Sequence, residues 1–276
     1  MIRRPPRSTH CISSAASDVY KRQISDGFSL QGGYSRRIFR PRLWDLNPFF
    51  NIRNNFNIRA GNPNLLPEYT DSYEVGGILI FSQTSLNASV YHRYTTDKID
   101  RISFFEDGVT TRIPQNIGTN RATGIEFNFK HSPSKKITLS GDGNYNFFVR
   151  EGSFSDQNFD FSNNQWSIKL VTKYKVTKPL EIEVTTRYDS QEQTIQGVQA
   201  DNLYVDFGLR YKILKGRGSF SLGGRDVFAS RVRQTTIDSD DFFTFSRSQR
   251  GRFVTLGFSY GFGKGDAIEY SGNRRR

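Results

Sequence analysis

The chain's 276 residues carry 39 Lys and Arg against 27 Asp and Glu, a formal charge of +12, with 24 Phe, 13 Tyr and a single cysteine. One cysteine excludes a disulfide framework and a cysteine-built metal centre, and the lack of any apolar run near 18 residues excludes a membrane-spanning helix. A membrane barrel is not excluded: its strands alternate between lipid and lumen and look bland on average, and a high aromatic content suits its outer wall and interfacial girdles.

Residues 1–23, MIRRPPRSTHCISSAASDVYKRQ, show neither alternation nor helical period. They have basic residues and then small ones but no apolar stretch between, so they do not form a secretion signal. The segment closely resembles the translated read-through of sequencing adaptor, and the expectation is a non-native, disordered 1–23 that includes His10 and Cys11, with the true N-terminus and its export signal missing. Five basic residues against one acidic one there leave +8 for the rest of the chain. The remaining Lys and Arg are spread singly, except at Arg274–Arg276, as a polar lumen or surface would have them; no nucleic-acid partner is expected.

From Ile24 onward the sequence reads as β throughout, and the period of two is clearest in the second half. Strands are expected at 27–37, 68–81, 85–96, 119–131, 136–149, 163–174, 180–190, 201–213, 218–228 and 248–262. Phe127 and Phe129 oppose Glu126, Asn128 and Lys130; Val184 lies on one face with Ile182 and Tyr188; Val205, Phe207 and Leu209 alternate with Asp206 and Gly208; Val254, Leu256, Phe258 and Tyr260 alternate with Thr255, Gly257 and Ser259. The expected lipid-facing set is Phe127, Phe129, Val184, Val205, Phe207, Leu209, Val254, Leu256, Phe258 and Tyr260. Most strands run to about 11–15 residues, longer than the roughly 5–6 of soluble proteins and long enough to cross a bilayer at a tilt. His92 and Asp226 fall on the lipid-facing parity and fit only with a bulge or a place near the rim.

Connections at 82–84, 132–135, 175–179 and 214–217 are short, and those at 38–67, 97–118, 150–162, 191–200 and 229–247 are long. Strict alternation of the two is the pattern of tight periplasmic turns and larger extracellular loops. The fold class is therefore all-β, an antiparallel transmembrane barrel wall of about ten strands over 24–262, followed by a polar periplasmic tail at 263–276.

Tyr34–Phe49, with Trp44, Asn47 and Pro48, is followed by Gly61-Asn62-Pro63-Asn64-Leu65-Leu66-Pro67-Glu68, then by Asn116–Glu126 and an aromatic final strand. This resembles the barrel of TonB-dependent receptors, in particular the outer-membrane β-barrel family of Bacteroidota, over about residues 27–262. The resemblance implies a 22-stranded plugged barrel of which this chain is the C-terminal portion, an outer-membrane location, energy-coupled nutrient uptake, a periplasmic energy-coupling protein of the TonB type and a possible surface lipoprotein. Physically, Asn62-Pro63 and Leu66-Pro67 fix turn and extended conformations at the rim, so the motif is expected to anchor loops without touching ligand, and Trp44 to pack in a loop or at the interface.

No chemistry stands out beside this. His92 and His131 sit in strands without a nucleophile or clustered ligands, and Gly141-Asp142-Gly143 lies in an amphipathic strand, where glycines ease curvature or pack a neighbour. Asp156, Asp160, Asp238, Asp240 and Asp241 are expected to be solvated loop charge instead of a Ca²⁺ site. No enzyme activity, metal or cofactor is expected. A self-contained ten-stranded pore, a protease-like barrel and a soluble adhesin remain as other readings; an isolated half-barrel would leave two strand edges unpaired in lipid.

Overall fold

The computed structural model describes residues 16–49, 56–154, 157–238 and 242–262. The first strands are β1 (Ala16–Ser25), β2 (Phe28–Phe39), β3 (Asn57–Arg59), β4 (Glu68–Phe81), β5 (Thr84–Thr96), β6 (Ile99–Glu106), β7 (Val109–Asn116) and β8 (Gly118–His131). They are followed by β9 (Ile137–Phe154), β10 (Gln157–Lys175), β11 (Leu180–Asp189), β12 (Glu192–Gln193), β13 (Gly197–Gln199), β14 (Asn202–Ile213), β15 (Gly218–Arg225), β16 (Val232–Asp238), β17 (Phe243–Gln249) and β18 (Phe253–Tyr260). A single helical turn, α1 (Leu43–Leu46), interrupts the second connection.

Eleven strands make one antiparallel sheet in the order β1-β2-β4-β5-β8-β9-β10-β11-β14-β15-β18. Each wall strand pairs with the next in sequence, and β1 and β18 form the two edges. The register keeps one set of side chains on one face across the whole sheet, because residues directly opposite in an antiparallel pair point the same way. One row runs Leu30, Gly77, Ala88, Phe127, Gly143, Ile168, Tyr188, Leu203. Another runs Ile182, Leu209, Leu222, Leu256. All ten residues of the expected lipid-facing set lie on this apolar face, which stays open to its surroundings; Leu256 is 81% exposed. The opposite face carries Gln31, Glu74, Arg93, Asn128, Asn144 and Lys169 and is the more sheltered one over β5 and β9, where Ser89, Tyr91, Thr95 and Phe148 are buried. A sheltered face with these polar residues and an open apolar one invert the soluble pattern and match a barrel wall in lipid.

The wall departs from the sequence reading in three places. The wall begins at Ala16, so the boundary expected after residue 23 falls inside β1, which pairs with β2 from Ala16↔Arg36 to Ser25↔Phe28. A ladder needs only backbone groups and therefore does not require the side-chain alternation that residues 16–23 lack; Arg22 stands opposite Leu30 on the apolar face. Residues 1–15 and the tail 263–276 lie outside the described residues. The connection expected at 150–162 is instead an extension of the β9–β10 hairpin, paired out to Phe154↔Gln157. The last two strands are also shorter than expected, Gly218–Arg225 and Phe253–Tyr260.

The other long connections fold into sheets of their own: a three-stranded sheet β3-β7-β6 and a four-stranded sheet β12-β13-β16-β17. Asp107 (φ 49°) and Gly108 (φ 77°) make the tight β6–β7 turn, a dipeptide suited to two left-handed residues in succession. Asp226 is not on the lipid face. Its φ of 54° turns the chain out of β15, and it is fully buried, with Oδ1 accepting the N–H groups of Ser230 and Arg231 at 2.9 and 3.0 Å. His92 does lie on the apolar face, near the outer end of β5, where Nδ1 is 2.8 Å from Thr123 Oγ1.

Candidate functional site

The conspicuous motif around Gly61–Glu68 folds into the base of the outer loops. Both of its Asn-Pro steps are side-chain-closed turns: Asn47 Oδ1 accepts Phe49 N–H at 3.1 Å across Pro48, and Asn62 Oδ1 accepts Asn64 N–H at 2.9 Å across Pro63. Proline fits the middle position because its fixed φ suits the turn and its missing N–H costs nothing there. Gly61 N–H donates to Asn47 C=O at 2.8 Å and Asn62 N–H to Asp45 C=O at 2.7 Å, joining the two halves of the motif. A side chain at Gly61 would meet Asn47 N at 2.6 Å and Asp45 O at 2.8 Å, so only glycine allows this approach. Beyond Pro67, Glu68 Oε1 accepts Ile99 N–H at 2.6 Å and Lys98 Nζ at 2.9 Å. Asn116 holds Leu66 from both sides, at 2.8 Å to its N–H and 3.0 Å to its carbonyl.

Between the two small loop sheets lies a cavity of about 1000 Å³. One wall is a single face of the three-stranded sheet. Arg59 and Arg112 are register partners in the parallel β3–β7 pair, and Ser103 of β6 is opposite Arg112. The other wall is a face of the four-stranded sheet, where Arg233, Thr235 and Ile237 alternate along β16 and Thr244 and Ser246 face them from β17. Motif residues Trp44, Asp45, Asn47 and Gly61 line the same cavity. Trp44, expected to pack in a loop or at the interface, is 82% exposed: the single turn α1 holds it off the sheets, and nothing covers its ring among the described residues, which leaves the interfacial place of the two expected.

Charge in the cavity is uneven. Arg101 pairs with Asp45 at 2.8 Å. Asp100 faces Arg150 of β9 at 3.8 Å, and Arg150 also reaches Glu192 at 3.7 Å, so this one wall residue ties both loop sheets to the barrel. Arg59, Arg112 and Arg233 have no carboxylate within ion-pair distance among the described residues, and all three are exposed. Arg112 is open to the cavity yet surrounded by protein, and that burial, followed by repulsion from Arg101 and then Arg59 and Arg233, holds its guanidinium below the ordinary range; Asp100 acts in the opposite sense. Guanidiniums stay charged under such a shift at neutral pH.

None of Arg59, Arg101, Arg112, Gln196 or Arg233 stands out in the sequence, where each is an isolated polar residue. The Asp107-Gly108 turn was the one local signal that could have located the β6–β7 arm. The remaining sequence candidates do not converge. His131 Nδ1 contacts Thr84 Oγ1 at 2.8 Å at the short-turn end of the wall, far in sequence and sheet position from His92. Gly141 and Gly143 sit beneath Phe129 and Phe127, where added side chains would meet the rings at 2.8 and 2.6 Å. Asp160 and Asp238 are exposed, while Asp156, Asp240 and Asp241 lie outside the described residues. No group of three or more His, Cys, Asp or Glu placed to hold a metal occurs among the described residues.

The family model of the outer membrane protein beta-barrel family matches residues 18–260. No curated protein sequence matches the chain. Among solved structures it resembles the siderophore receptor PirA of Pseudomonas aeruginosa, with a TM-score of 0.57 at 14% identity, covering 79% of this chain and 39% of that one. It resembles PirA of Acinetobacter baumannii with a TM-score of 0.57 at 14% identity, covering 90% and 41%. The copper transporter OprC gives a TM-score of 0.63 at 14% identity, covering 88% and 39%. The chain thus spans about two fifths of the length of these solved structures, and the likeness at this identity is one of fold.

Proposed function

The chain belongs to the outer membrane protein beta-barrel family, and from that premise we propose that it supplies part of the wall and outer loops of a receptor of the TonB-dependent type, taking up a nutrient with energy delivered from the periplasmic side. The protein is an outer-membrane barrel protein; the energised uptake is the proposal. The observation that carries it is the pairing of two features in one chain. The wall presents a continuous apolar face, to which Phe207, Leu209, Val254 and Leu256 contribute, for contact with acyl chains. The long connections build a cavity at the outer rim instead of stopping as short turns.

A passive pore would need the wall alone; folded loop sheets around a cavity are what a receptor requires in order to select before it admits. The periplasmic coupling protein is the partner this reading demands. Two measurements test it. Labels at positions 207, 209, 254 and 256 are quenched by probes attached to acyl chains, and quenching only from the aqueous lumen overturns the barrel reading. Uptake lost on gene disruption is also lost when a protonophore treats wild-type cells; uptake indifferent to the protonophore replaces the receptor with a pore.

A further inference from the structure

Two arginines side by side in a register pair are unfavourable, because like charges directly opposite in a ladder repel. Arg59 and Arg112 are such a pair, they line the 1000 Å³ cavity together, and Arg233 enters it from the facing sheet. The local carboxylates are committed elsewhere, Asp45 to Arg101 and Asp100 toward Arg150. Among the described residues, none of the three guanidiniums has a carboxylate within ion-pair distance, and Asp100 offsets only part of the repulsion at Arg112. An occupant carrying negative charge would relieve the repulsion and complete the site.

We propose that this cavity is an anion seat, in which Arg59 and Arg112 on one wall and Arg233 on the other take the carboxylate or phosphate groups of a small soluble polyanion. The assignment rests on reading the chain as a receptor and names the class of its cargo. A guanidinium presents a planar fork of N–H donors that matches carboxylate and phosphate two bonds at a time. Because the three forks lie on two opposed walls, a ligand with two or three oxyanion groups bridges them, whereas a monoanion reaches one wall only. The cavity's volume is at the upper end of ordinary small-molecule sites, roughly 300–1,000 Å³, and far too small for a macromolecule. Asn57, Thr110, Thr235 and Ser246 add neutral donors and acceptors to the lining, beside the apolar Ile195 and Ile237 and the carboxylates of Asp45 and Asp100.

The test uses the full chain folded in neutral detergent micelles and titrated calorimetrically with citrate, with glucose as the uncharged control. Citrate binds and glucose does not. Arg112→Gln and Arg233→Gln each weaken citrate binding about tenfold, the loss of charge-assisted hydrogen bonds, and Arg112→Lys, which keeps the charge and loses the fork, weakens it less. Arg247→Gln removes the same charge from the other face of β17 and leaves the affinity within about twofold, since an exposed charge outside the cavity acts only through screened distance. Equal weakening by Arg247→Gln and Arg112→Gln would reduce the effect to net charge and overturn the seat. Displacement of citrate by lipopolysaccharide at lower concentration would assign the arginines to a lipid headgroup and overturn the soluble cargo. Absence of citrate binding by chain whose heat-modifiable migration shows a folded wall refutes the seat and leaves the receptor reading standing. Citrate binding without energised uptake does the reverse.

Discussion

Gln196, in the turn between β12 and β13, and Ser103, on β6, exchange two hydrogen bonds across 93 residues of sequence: Ser103 N–H donates to Oε1 at 2.7 Å, and Nε2 donates to the Ser103 carbonyl at 2.8 Å. One amide side chain thereby occupies the position of a neighbouring strand and clasps the two loop sheets together over the cavity. Ser103 is buried, so its backbone groups have no water to replace the amide.

Gln196→Ala is expected to loosen the clasp at a local cost of about 1–3 kcal/mol, the penalty for leaving buried backbone groups unpaired. The wall strands do not depend on it, so the thermal midpoint of the barrel stays within error while hydrogen exchange at the Ser103 amide accelerates. Gln196→Glu retains the acceptor and keeps that amide protected. An unchanged Ser103 exchange rate in Gln196→Ala would show that the loop sheets are held by other contacts.

The wall was legible in the sequence and the cavity was not, and the difference is physical. Each wall strand buries or exposes alternate residues against a continuous environment, so Val205, Phe207 and Leu209 announce their face without reference to any partner. The loop strands owe their existence to distant pairing. β3 is three residues long and lies parallel to β7, and β13 pairs with β16 some 38 residues away (Gln199↔Thr235 are 36 apart). No local period marks segments that short. Singly spread arginines suggested a diffuse polar surface, yet topology gathers Arg59, Arg112 and Arg233 into one cavity. Extending β9 and β10 past residue 150 likewise depends on their mutual ladder, since Asn158, Asp160 and Ser162 on β10 resemble loop residues when taken alone.

Glu68 links the family motif to the β6 arm, because its carboxylate accepts both the Lys98 ammonium and the Ile99 N–H. Glu68→Ala removes both bonds from a largely enclosed place and is expected to cost about 1.5–3 kcal/mol, the range for hydrogen bonds to a charged group. Glu68→Gln preserves an acceptor for Ile99 and costs less. Limited proteolysis reports the outcome as faster cleavage after Lys98 and Arg101 in the alanine variant; equal cleavage in all three proteins would remove Glu68 from the anchor.

On the enclosed face Tyr91 lies over Gly124, its register partner on β8, and its hydroxyl meets Asn144 Oδ1 at 3.2 Å. A side chain at position 124 would stand 2.6 Å from the Tyr91 hydroxyl and closer still to the Tyr145 carbonyl oxygen. The tyrosine can swing away but the backbone oxygen cannot. Gly124→Ala is therefore expected to destabilise the wall by about 1–3 kcal/mol, the usual cost of overpacking, and Tyr91→Ala in the same chain should recover only part of it. Denaturant unfolding in lipid measures both; full recovery by the double variant would place the strain on the tyrosine alone.

Adjacent positions on β14 give the sharpest contrast between the two faces. Phe207 is on the apolar face opposite Val184, near the middle of the twelve-residue strand, and Gly208 is on the polar face opposite Glu183. At the centre of a bilayer, an arginine on the lipid face of a barrel costs about 2–4 kcal/mol, so Phe207→Arg should lower unfolding stability by that amount in phospholipid bilayers. A side chain at position 208 would meet nothing closer than Glu183 Cβ at 3.7 Å, an ordinary contact, and Gly208→Ser should change stability by no more than about 0.5 kcal/mol. The same pair measured in short-chain micelles, which thin the apolar layer, should show a smaller penalty for arginine. Were the serine variant the more damaged of the two, the faces of the wall would be assigned backwards, and the apolar rows from Leu30 to Leu203 and from Ile182 to Leu256 would line an interior instead of meeting lipid.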